Sequence, residues 1–152
     1  MTATTFLIPA LAPVYKVIRP YADAIVRITA GGFLIPHGAQ KLFGLFGGYG
    51  LEATGEYFEK SLGFSDGYLA ALAAGSVEFF GGILLAAGLF TRLSAGAISI
   101  LLVVALGVHL PNGFMWTSSG VEYPLFWLIV VLSFVAKGGG ELSLDRLIGK
   151  VI

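Results

Sequence analysis

Five ionisable side chains sit where an apolar chain should carry none: His37, Lys41, Glu78, His109 and Glu122. An ammonium, two imidazoles and two carboxyls can donate and accept hydrogen bonds to the oxygens of a lipophilic ring. A buried carboxyl or a histidine can also hold and pass a proton. Glu78 is the sole charge in "YLAALAAGSVEFFGGILLAAGLF", residues 68–90. A carboxylate in such a run costs several kcal/mol unless it is paired or protonated. His37 and Lys41 stand one helical turn apart in "RITAGGFLIPHGAQKLF", residues 27–43, with Pro36 beside them. Asp23 and Arg27 precede them as supporting charges, with Arg27 expected to pair with Asp23 or Glu78. Plainer readings stand beside these: a structural ion pair for Glu78, snorkelling for Arg27, a solvated interface for Lys41, and a satisfied core position for each histidine. A metal reading would use His37, His109, Glu122 and Glu78, types that suit zinc or iron. No H-x-x-E or H-E-x-x-H spacing supports it, so no metal site is expected.

The elements that must position these groups are membrane helices. The 152-residue chain is 57% hydrophobic and 12% charged, with a mean hydropathy of +0.89. A soluble domain is about half apolar and about a quarter charged. The expected fold class is therefore an all-α integral membrane protein, one domain over residues 1–152, with the lipid bilayer as its main partner. A formal net charge of zero excludes a nucleic-acid footprint. The absence of cysteine leaves the chain without thiol–disulfide chemistry of its own. "FLIPALAPVY" near the start follows no basic stretch and is expected to be a cytoplasmic or interfacial lead-in rather than a cleaved leader.

A membrane core takes about 20 apolar residues as helix. Four spans are expected, at about 21–43, 68–90, 93–110 and 121–136. Ser119-x-x-Glu122 reads as a capping box opening the fourth, with Pro124 in its first turn. The short turn holding Arg92 makes the second and third spans antiparallel. Lys16, Arg19, Arg92, Lys137, Arg146 and Lys150 gather at one end, against Lys60 and the boundary residue Lys41 at the other. Both termini are thus expected to be cytoplasmic. In that frame His37, Lys41, His109 and Glu122 share a depth in the outer leaflet. Glu78 lies below them, and Arg27 closes the space from the inner side. Ala71, Gly75, Glu78, Gly82 and Ala86 form a small-residue stripe on one face. Asp23, Arg27, Gly31, Leu34, Gly38 and Lys41 share a face of the first span, expected to meet that stripe or a common cavity. Between spans one and two, Leu51, Phe58 and Leu62 share one face of a short helix on the membrane surface.

Read together, several segments resemble the DoxX family of small membrane proteins. They are Arg27…Gly31…His37-Gly38-x-x-Lys41; Glu78-Phe79-Phe80-Gly81-Gly82…Gly88-Leu89-Phe90-Thr91-Arg92; His109 with the following "NGF"; Glu122; and Gly138-Gly139-Gly140-Glu141-Leu142-Ser143-Leu144-Asp145. The resemblance covers about residues 24–147. It implies a four-helix transmembrane bundle, multi-pass in the cytoplasmic (inner) membrane of a bacterium or archaeon. It also implies a membrane subunit of an oxidoreductase system, binding a quinone or similar ring among the polar groups. No intrinsic cofactor is expected. Electrons would come from a redox protein partner, and a homo-oligomer is a further candidate assembly. The alternatives are a non-enzymatic scaffold or assembly protein, whose charges only specify packing, and a small proton or solute pathway.

Overall fold

The computed structural model describes residues 7–149, and every regular element among them is helical. Lys150, counted above among the inner basic residues, lies outside them. The order is α1 (Ala12–Phe43), α2 (Gly50–Leu62), α3 (Gly67–Ser76), a π-helical turn (Val77–Gly81), α4 (Gly82–Ala87), α5 (Thr91–His109), α6 (Glu122–Lys137) and α7 (Leu144–Ile148). Two stretches, Gly67–Ala87 and Thr91–Asn112, are long and apolar enough to cross a membrane. The outer shell is oily, with Phe33, Ile100, Val103, Phe126 and Ile129 all exposed.

Helix α1 begins nine residues earlier than the span expected from residue 21, so it takes in the end of the lead-in from Ala12 on. It runs unbroken through Pro20 and Pro36. Each proline removes one backbone hydrogen bond. At about 1.5 Å per residue, its 32 residues reach roughly 48 Å. The polar residues Arg27, His37, Gln40 and Lys41 dilute its hydropathy. Helix α6, with 16 residues, reaches only about 24 Å.

Glycine sets the closest seam. A Cβ added at Gly31 would stand 2.4 Å from the Gly82 carbonyl oxygen, and one at Gly38 would stand 2.6 Å from that of Gly75. Each helix offers two glycines seven residues apart, so α1 and the α3–α4 rod pack backbone to backbone in antiparallel register. On the other side, α5 pairs along its length with α6. Ala30, Leu34, Leu85, Ala95, Ile98, Leu102, Leu128, Val131 and Phe134 join the four rods in one core. Helix α5 also packs on α4 and the π turn but diverges from α3. The hairpin therefore opens into a wedge toward the α2 end. Helix α2 crosses α3 where Gly55 meets Gly67 and hangs its apolar face over that wedge.

Candidate functional site

The wedge contains a cavity of about 530 Å³. Phe58 and Leu62 of α2 roof it; Ala74 and Val77 form one wall; Leu101 and Val108 of α5 form the other. Ile100 and Val104 line it and are also exposed on the outer flank, so it opens sideways onto the apolar surface. Ligand sites of this size are mostly apolar with a few placed polar groups. Here those groups are Lys41, Glu78 and His109.

Lys41 Nζ donates to both carboxylate oxygens of Glu78, at 2.8 and 2.6 Å. The two side chains keep 23% and 13% of their surface exposed, so the pair is accessible from the cavity. Lys41 stands in the last turn of α1, where the helix dipole favours a cation. Glu78 belongs to the π turn, a widening of the backbone that recurs at functional sites. An ammonium has three donors, so a ligand oxygen can join the pair without displacing it. The His109 ring meets the Ser119 carbonyl oxygen through Nδ1 at 2.6 Å. In the neutral ring that contact fixes the proton on Nδ1 and leaves Nε2 as an acceptor.

The other expected members are elsewhere. His37 is exposed and outside the cavity lining. Its neighbour Gly38 takes the position against α3, which turns the histidine about 100° around the helix. Glu122 folds back onto its own loop, where its Oε2 accepts the Trp116 N–H at 2.9 Å. It opens α6 after Val121, and no side chain caps that helix, so Ser119 does not form the expected box. Trp116 packs on Tyr123 at 5.6 Å between ring centroids. Of the four residues of the metal reading, His37 and Glu122 thus lie apart from the cavity, and among the described residues no three histidine or acidic side chains form a metal-ligating group. Phe58 and Leu62 were legible as an apolar face; that this face covers the wedge was not.

Arg27 pairs with neither Glu78 nor Asp23. Only 1% exposed, it donates through Nη1 to the carbonyls of Leu85, at 2.9 Å, and Ala86, and through Nη2 to that of Leu142. It neutralises the C-terminal end of α4 and ties the C-terminal segment to it. Gly88 turns the chain there with φ +70, and a Cβ on it would strike the guanidinium. Asp145 acts on the next helix. Its Oδ1 accepts the Phe90 N–H at 2.7 Å and its Oδ2 the Thr91 N–H at 2.9 Å, while its own N–H donates to Gly88 O at 2.8 Å. It thereby caps the start of α5 from 54 residues away. Burial alone would raise the Asp145 pKa. Hydrogen bonding by Thr91 and Phe90 and the field of Arg27 together outweigh it and hold the carboxyl below its usual range. Asp23 instead accepts from Lys137 Nζ at 2.6 Å.

Comparison with known proteins bears on this arrangement. The sequence model of the DoxX family matches residues 22–110, a stretch that includes Arg27, Lys41, Glu78 and His109. An uncharacterized protein of Haemophilus influenzae is 39% identical over 69 residues, which is 45% of this chain and 46% of that protein. The chain thus spans less than half the length of this relative. A second uncharacterized protein of the same organism is 33% identical over 136 residues, covering 84% of this chain and 91% of its own length. No solved structure matches.

Proposed function

The chain belongs to the DoxX family of membrane proteins, and from that premise we propose that its lateral cavity binds a quinone or a similar lipophilic ring bearing oxygens. In this reading α1, the α3–α4 rod, α5 and α6 are four spans with both termini in the cytoplasm, and the cavity opens in the outer leaflet of the cytoplasmic membrane. The observation that carries the reading is the Lys41–Glu78 pair, held at 2.6 Å in the wall of a mostly apolar cavity that opens sideways. Lys41 donates to a ring oxygen, His109 Nε2 serves a second polar group or a proton, and the apolar walls exclude water. The chain acts as the membrane subunit of an oxidoreductase system, and a partner supplies the electrons. A scaffold role draws on the opposite end, where Arg27 and Asp145 are both engaged with backbone groups.

Decylubiquinone titrated into the protein in lipid nanodiscs tests the ligand reading. Saturable quenching of tryptophan fluorescence is expected, weakened roughly ten- to hundredfold in Glu78→Gln through loss of a charge-assisted contact. Equal quenching in both proteins removes the cavity from the account.

A further inference from the structure

A second cavity, of about 690 Å³, lies at the opposite end of the bundle. The N-terminal turns of α1 form one wall, with Lys16, Arg19 and Asp23; Lys137 and the loop Gly138–Gly140 form the other, with Glu141 on that side. Asp23 is engaged by Lys137. Lys16 and Arg19 are not paired with a carboxylate among the described residues. They stand three residues apart, so they share one face of α1 and present two cations to the same opening. The glycine loop across from them adds no side chain to fill the space.

The surroundings of this cavity are not those of a water-facing basic patch. On the opposite face of the same helix turns, Val17, Ile18 and Tyr21 are large, apolar and exposed. Such residues belong against acyl chains, which sets the two cations at the level where lipid headgroups begin. Arg fits a phosphate through its fork of donors, and Lys adds a point charge.

We infer that this inner cavity is a phosphate-binding site, filled by the headgroup of an anionic membrane phospholipid or by free phosphate. The phosphate rests between Lys16 and Arg19. For a lipid, the glycerol end projects toward Gly138–Gly140 and the chains leave past Ala12 and Pro20, which line the same opening. The site is independent of the ring-binding cavity and does not rest on that reading.

Native mass spectrometry of the detergent-solubilised full chain, titrated with palmitoyl-oleoyl phosphatidylglycerol or with the phosphatidylcholine of the same chains, reads the lipid source. Calorimetry with inorganic phosphate reads the soluble one. Preferential phosphatidylglycerol binding, weakened roughly thirtyfold in Lys16→Gln/Arg19→Gln, establishes the lipid headgroup as occupant. Phosphate binding lost in the same variant, without lipid preference, establishes the soluble source. Both residues are exposed, so the variant should fold, and an unchanged melting temperature checks this. Lys16→Arg should bind as the parent does. If the double variant retains parental binding of every probe, or if the parent binds none of them, the site does not exist.

Discussion

The two ends of the bundle use buried charge in opposite ways. At one end Arg27 is almost fully buried and donates to three carbonyls, while the Asp145 carboxylate takes two N–H groups at the start of α5. These groups close the α4–α5 turn and fasten the C-terminal segment beneath it. At the other end Lys41 and Glu78 satisfy each other, remain partly exposed, and border a cavity. The first arrangement spends its charges on backbone groups; the second pairs two side chains in the wall of a cavity. Charge in an apolar helix thus has no single meaning, and its partners decide whether it fastens the fold or faces a ligand.

That contrast orders the expected losses. Arg27→Leu should be the most damaging, at about 3–5 kcal/mol, because it strips the carbonyls of their donor and leaves Asp145 without its cation. Thermal unfolding in detergent measures it, and a parental melting temperature would break the contrast at once. Gly82→Leu follows at about 1–3 kcal/mol, since the seam with Gly31 has no space for a side chain. Asp145→Asn should cost about 0.5–2 kcal/mol as a lost cap and also alter the pH dependence. A carboxyl whose folded pKa is depressed adds stability above its unfolded value, near pH 4, and loses it as pH falls through the folded value. Acid unfolding should therefore be shallower in Asp145→Asn between pH 4 and lower; coincident curves would remove Asp145 from the lock. Lys60→Ala, which breaks a fully exposed pair with Glu56 on α2, should leave the melting temperature unchanged.

Much of the frame was legible in the residues. The run 68–90 marked the α3–α4 rod because Glu78 alone interrupts its apolar character. Gly31, Gly38, Gly75 and Gly82 marked the seam through their spacing. The Lys41 and Glu78 stripes were expected to face one another or share a cavity, although Arg27 was the named partner for Glu78. What could not be read was rotation and reach. His37 differs from Gly38 by one step around a helix, and only packing decides which of them faces α3. Glu122 had a backbone donor within its own loop, at Trp116, that competed with a distant cavity. Asp145 carried no signal of its long-range capping, because the Phe90 and Thr91 N–H groups it serves are identical in every sequence. The divergence of α5 from α3, which makes the cavity, is a tertiary angle with no local signature.

Photoaffinity mapping tests the central claim most directly. A diazirine-bearing ubiquinone analogue would be irradiated with the protein in nanodiscs and the labelled peptides sequenced. The account predicts adducts on the cavity lining, at Tyr57, Phe58, Ala105 or Val108, suppressed by excess decylubiquinone and reduced in Glu78→Gln. Adducts confined to the Arg27 end, or spread evenly over the lipid-facing surface and indifferent to competitor, would contradict it.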